Sequence, residues 1–225
     1  MPGLSDLADL AGLLREAAPA MARGTGYTLA FAVAAMVGGL VLGFPAAVLR
    51  VAPWALLRWP AALYVSAFRG TPLLVQLFVI YYGLPSIGIE FTPVTAGVLA
   101  LSLNAGAFLS ESLRGAILGV RQGQWHAGFS LGLTYRQTLG LVILPQALRV
   151  AVPALSNTLI SLIKDTALVS VITVSELMLS TKEMIAVTFR PLPLYVAAAG
   201  VYWVLSLLFE AVQRRAERHF NRGHQ

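Results

Sequence analysis

Four stretches of this chain carry no charged residue: those between Arg23 and Arg50, Arg69 and Glu90, Glu90 and Glu111, and Arg190 and Glu210. Each approaches the roughly 20 residues that cross a bilayer as an α-helix. The stretches are continuously apolar rather than alternating, and a helix pairs its own backbone polar groups in lipid, so helices are expected rather than strands. A fifth span, interrupted by Lys164 and Asp165, is expected near residues 151–175. The chain therefore reads as a single all-α integral membrane domain, residues 1–225, with spans near 24–49, 61–84, 93–115, 151–175 and 193–213. Composition agrees: 12% of residues are charged against about 25% in soluble domains, and the mean hydropathy is +0.75.

The net charge of +6 raises nucleic acid as a partner, but the placement of the cations argues against it. Arg50 and Arg58 follow the first span, Arg114, Arg121, Arg136 and Arg149 the third, and Arg214, Arg215, Arg218 and Arg222 the fifth. All fall on one side of the membrane. The other side holds Arg15, Arg23, Lys182 and Arg190. The positive-inside rule makes the first set cytoplasmic, which puts the N-terminus outside and the C-terminus inside, with residues 214–225 a basic cytoplasmic tail. Asp6 and Asp9 make the start too acidic for a signal peptide. Leu4, Leu7, Leu10 and Leu14 suggest that residues 1–22 form an amphipathic helix on the outer surface, a frayed terminus being the alternative.

The one long connection between spans, residues 116–150, lies between the third and fourth. Trp125, Phe129 and Leu133 recur every four residues, as on one face of a helix. Gly132 suits the left-handed residue that ends a helix, and Thr134 with Gln137 forms a capping box that starts the next. Helix, glycine turn, helix is the expected arrangement, presenting one face to a docking partner. Gly128-Phe129-Ser130-Leu131-Gly132 matches the nucleophile elbow of hydrolases, but that motif needs a preceding strand and a histidine within reach. His126, His219 and His224 lie outside the spans, and both glycines are better explained by close packing and helix termination. No phosphate-binding loop exists, the only lysines being Lys164 and Lys182, so the chain is not an ATPase. Without cysteine, neither disulfides nor cysteine-based metal sites are available, and no metal site is expected.

Charged and polar groups inside spans turn toward a bundle interior or a watery path, because each charge costs roughly 2.5–3.5 kcal/mol on insertion scales. Asn157, Ser161, Lys164 and Asp165 extend a polar stripe along the fourth span. They read as a pathway lining for a polar solute or as an interhelical network. Gln76 and Asn104 are candidate solute contacts with the same alternative, and Arg69 and Glu111 read as structural or gating groups.

Four segments, in order, carry a resemblance: Phe68-Arg69-Gly70-Thr71-Pro72-Leu73-Leu74-Val75-Gln76; Gly123-Gln124-Trp125 with Gly132; Ile143-Leu144-Pro145-Gln146-Ala147-Leu148-Arg149; and Lys164-Asp165-Thr166 with Leu168-Val169. Together they resemble the permeases of polar amino acid ABC importers of the histidine/glutamine/glutamate type. The resemblance implies a type I importer permease in the bacterial inner membrane, with a cytoplasmic coupling helix (the EAA loop) between helices 3 and 4. Gly123, Gln124, Trp125, His126, Ala127, Gly128, Phe129, Ser130, Gly132 and Leu133 would then meet a separate ATPase, which binds ATP and Mg2+. It also implies a second permease subunit and a periplasmic solute-binding protein that delivers the amino acid. This chain has His126-Ala127-Gly128 where the family usually has Glu-Ala-Ala. The glycine should weaken the helix by about 1 kcal/mol, which favours a different second permease over a homodimer. A gradient-driven carrier or channel, or a scaffold without transport, are the rival readings.

Overall fold

The computed structural model describes the backbone of residues 4–221 and the side chains of residues 8–215. The first element, α1 (Leu4–Val51), runs unbroken for 48 residues. Leu13, Ala17, Met21, Thr28, Ala32, Ala35 and Ala47 are buried at helical spacing along its length, so one continuous stripe packs inward. Of the segment 1–22 expected as an outer-surface helix, residues 4–22 are continuous with the first span, and residues 1–3 lie outside the described residues. Leu13, Ala17 and Met21 pack on Leu177, Leu194 and Ala198 of later elements, and that contact extends the helix beyond the first span. The side chains of Leu4 and Leu7 lie outside the described residues.

The expected second span is broken. Helix α2 (Ala55–Gly70) and helix α3 (Leu73–Phe78) meet at 107°, and α3 continues through a π-helical turn (Val79–Gly83) into a 3-10 turn (Leu84–Ile87). Thr71 and Pro72 are extended between them, since the residue before a proline disfavours the helical region. Helix α4 (Pro93–Gly119) starts at Thr92, whose side chain accepts from Thr95 N, and is long enough to cross a membrane. Helix α5 (Gln122–Ser130) follows, and then α6 (Tyr135–Gln137), which passes through a π-helical turn (Thr138–Ile143) into α7 (Leu144–Asp165). Helical structure thus enters the connection of residues 116–150 from both sides, with α5 between α4 and α6.

A 3-10 segment (Thr166–Ile172) ends α7, and Val169 and Ile172 within it are fully buried. The loop expected before the last span holds a further helix, α8 (Leu177–Thr188). The last helix, α9 (Pro191–Asn221), covers the fifth span and the start of the basic tail; the side chains of Arg218 and Arg222 lie outside the described residues. Among the described residues, four helices are long and apolar enough to cross a membrane, or five if α2 and α3 count as one broken span. The main core joins Phe31 and Ala35 of α1, Leu101 and Leu109 of α4, Ile163 of α7, and Val169. A second cluster beneath α5 joins Ala47, Leu113, Ile117, Ile143 and Ala147.

Candidate functional site: the α5 turn, the broken span and the polar face of α7

Helix α5 ends as its sequence dictates. Gly132 takes φ +78, Gly132 N donates to Phe129 O at 2.9 Å, and Leu133 N donates to Gly128 O at 3.1 Å. This pair of bonds is the Schellman closure, which satisfies the last carbonyls of the helix. Two residues later Thr134 N donates to Gln137 Oε1 at 2.9 Å and Gln137 N to Thr134 Oγ1 at 3.4 Å, so the expected capping box is present. The turn between α5 and α6 is fixed from both sides.

The apolar ridge expected on α5 is divided. Trp125 packs against the second cluster and stacks on Tyr135 with ring centroids 5.4 Å apart, whereas Phe129 is 45% exposed and Leu131 81% exposed. Gln124 Oε1 accepts from Gln146 Nε2 at 3.3 Å, which ties α5 to α7. Gly123, His126, Ala127 and Ser130 are exposed. Gly128 is buried, and a Cβ built on it would lie 2.6 Å from Thr138 Cγ2 and 2.9 Å from Thr138 Oγ1. The glycine of His126-Ala127-Gly128 is therefore what lets α5 sit against the π-helical turn. It is a packing requirement of this chain.

The break between α2 and α3 frees backbone carbonyls that a straight helix would pair. Gln76 Nε2 donates to Phe68 O at 2.8 Å, to Thr71 O at 3.0 Å and to Thr71 Oγ1 at 2.9 Å. Asn104 Nδ2 of α4 donates to Gln76 Oε1 at 3.0 Å and to Phe68 O at 3.3 Å. Gln76 is 7% exposed, and its amide ties the end of α2 to the start of α3. Beside the break, Glu111 takes Arg50 at 2.7 Å and Arg69 at 3.4 Å, and Arg114 Nε donates to it at 3.2 Å. One carboxylate thus gathers cations from α1, α2 and α4. Arg69 also lies over the Phe108 ring, 5.4 Å from its centroid.

The polar stripe of α7 opens on two cavities. One, of about 470 Å3, is lined by Asn104, Phe108, Asn157, Ser161 and Asp165 among others. The other, of about 330 Å3, is lined by Asn157, Ser161 and Lys164 together with Glu210, Gln213 and Arg214 of α9. Lys164 and Asp165 therefore face different neighbours, as adjacent residues on a helix must. Neither makes a salt bridge among the described residues. Asn157, Ser161 and Lys164 are exposed in the isolated chain.

Two groups escape the sequence patterns above. Leu131 is the most exposed apolar side chain of the α5 turn, but it falls outside the four-residue ridge. Glu176 is fully buried; it caps α8 by accepting from Leu179 N at 3.0 Å and takes hydroxyl bonds from Thr28 at 3.3 Å and Tyr202 at 2.7 Å. Its signal is an acidic residue just ahead of an apolar run, which marks a helix start. Among the described residues no cluster of three metal-ligating side chains occurs.

Known proteins share this architecture. Residues 39–222 match the family described as the binding-protein-dependent transport system inner membrane component. The L-cystine transport system permease protein TcyB of Bacillus subtilis (strain 168) is 44% identical over 205 residues, covering 91% of this chain and 88% of that protein. The glutamine transport system permease protein GlnP of Escherichia coli (strain K12) is 38% identical, covering 90% and 93%. A crystal structure of an amino acid ABC transporter with histidines superposes with a TM-score of 0.86 at 34% identity, covering 92% of this chain and 96% of that one. The inward-facing MetNI methionine ABC transporter, at 23% identity and a TM-score of 0.77, shares the fold. The chain belongs to the family of inner membrane components of binding-protein-dependent transport systems.

Proposed function

We infer that this chain imports a polar L-amino acid by alternating access, with α5 as the surface through which an ATPase drives it. The chain is the permease subunit of an ABC importer, and ATP is hydrolysed in a separate subunit. A solute-binding protein and that ATPase are its partners. The observation that carries the reading is the α5 turn: a short helix closed by Gly132 and the Thr134 capping box, with Phe129 and Leu131 turned outward. A rigid, partly apolar knob at the end of a bundle is suited to seat in a groove of another protein.

Substrate class rests on the similarity to amino acid permeases and on the cavity lined by Asn104, Asn157, Ser161 and Asp165. Such a lining offers donors and acceptors to a zwitterion. The exposed polar face of α7 would be costly against lipid, so a second permease subunit is assigned to cover it. In this reading the α5 end, with Arg58, Arg136 and Arg149, is cytoplasmic and the N-terminus lies outside. Arg69 and Glu111 hold the wall of the path and can gate it.

Because the chain has no cysteine, Phe129→Cys or Ser130→Cys places a single reactive thiol on α5. In the assembled complex either should crosslink to the ATPase. Labelling only from outside, or no crosslink in the complex, rejects both the orientation and the role. Uptake by the purified chain alone would favour the gradient-driven reading instead.

A further inference from the structure

Tyr135 stands where three elements meet. Its ring stacks on Trp125 of α5 at 5.4 Å and meets the edge of Trp54 at 6.2 Å. Its hydroxyl donates to Val51 O, at the end of α1, at 3.0 Å. The neighbouring residue, Arg50, pairs with Glu111 at 2.7 Å, and Glu111 pairs in turn with Arg69 at 3.4 Å. Arg69 is the penultimate residue of α2, beside the 107° break. Across that break Phe68 O accepts from Gln76 and from Asn104, and Asn104 lines the cavity of about 470 Å3.

We propose that Trp125, Tyr135, Arg50, Glu111 and Arg69 form a positioning relay that carries displacement of α5 into the α2–α3 break and so into the cavity wall. The relay rests on the reading of α5 as the ATPase contact. It is separate from the direct route, in which α6 and the π-helical turn lead from the α5 turn into α7. The direct route moves α7. The relay moves the opposite wall.

Two features fit the relay for this task. The break interrupts helical hydrogen bonding at Thr71 and Pro72, so a small rotation there costs few backbone bonds. Glu111 serves Arg50, Arg69 and Arg114 at once, so a shift of any one guanidinium bears on the other two contacts and links α1, α2 and α4.

The test uses the complex of this chain with its ATPase and binding protein, reconstituted in vesicles. Leu63 and Val75 are exposed on α2 and α3. Spin labels on Leu63→Cys and Val75→Cys report the break, and a fluorophore on Ser130→Cys in a separate preparation reports α5. In the parent complex ATP should change both signals. Tyr135→Phe keeps the stack on Trp125 but removes the bond to Val51 O. It should abolish the ATP-linked distance change across the break, leave the Ser130 response, and lower uptake per ATP by about fivefold, the ratio carried by one hydrogen bond. Glu111→Gln should do the same, and the double variant should be no worse than the more affected single variant. If Glu111→Gln does not assemble, Tyr135→Phe decides alone. An unchanged distance response in Tyr135→Phe, or additive losses in the double variant, overturns the relay. A parent complex in which Ser130 does not respond to ATP overturns the reading of α5 itself, and the relay with it.

Discussion

The seam between α1 and α4 and the polar face of α7 solve opposite problems. Along the seam, small residues bring two backbones together: a Cβ on Gly43 would lie 2.6 Å from Gly106 O, and one on Gly38 would overlap Ser102 Oγ. In lipid there is little hydrophobic drive between helices, so close packing of this kind is what holds them. The α7 face instead exposes Asn157, Ser161 and Lys164 beside two cavities. The seam is complete within one chain. The face is complete only when another molecule or water covers it. Stability should therefore concentrate in the first region and transport in the second.

The largest test of this division is Gly43→Leu. The facing atom is a backbone carbonyl, which cannot rotate away, so the helices must separate. Destabilisation of about 3 kcal/mol is expected, at the upper end of ordinary overpacking. Thermal unfolding of the purified chain in detergent measures it. Gly200→Ala is the matched control, because nothing lies within 4 Å of a Cβ there, and it should stabilise α9 by about 0.5–1 kcal/mol. Equal effects at both positions would remove the contrast.

Next in size is Gln76→Leu. It leaves Phe68 O and Thr71 O short of a donor and Asn104 Nδ2 without the Gln76 acceptor, at a cost of about 2 kcal/mol. This variant also separates a structural amide from a solute contact. If stability is unchanged while uptake falls, Gln76 belongs to the transport face rather than to the break.

These residues also mark what a sequence can reveal here. The spans are legible because lipid forbids charge over a helix length, and Gly132 with Thr134 and Gln137 is legible because turn chemistry is local. The break at Thr71 and Pro72 is hidden, since both arms are apolar and their hydropathy merges into one span. The extension of α1 is hidden for another reason: the stripe of Leu13, Ala17 and Met21 acquires meaning only against Leu177 and Leu194, far along the chain. Within the site, the stripe of Asn157, Ser161, Lys164 and Asp165 is visible from its spacing, but which cavity each residue lines depends on α4 and α9. The role of Gly128 depends on Thr138 in the same way.

That last contact gives a smaller and reversible effect. Gly128→Ala would gain helix propensity, yet its Cβ meets Thr138 Cγ2 at 2.6 Å. A net loss of about 1 kcal/mol is expected. Thr138→Ala should rescue it, because the Thr138 hydroxyl is buried without a hydrogen-bond partner and its removal costs little. A chemical-denaturation cycle over the two single variants and the double variant reads the coupling. Additive losses would mean that α5 is not seated against the π-helical turn.

The smallest stability effect is expected at Lys164→Ala. Lys164 is exposed, lines the cavity between α7 and α9, and makes no salt bridge among the described residues. Removing it from the isolated chain should change stability by no more than about 0.5 kcal/mol, as for other exposed positions. In vesicles carrying the full complex, uptake should fall by more than assembly does, because the charge then faces the path or the covering subunit. Parallel loss of uptake and assembly would instead make Lys164 part of the contact between permease subunits, and would move the boundary between the region that holds the protein together and the region that works.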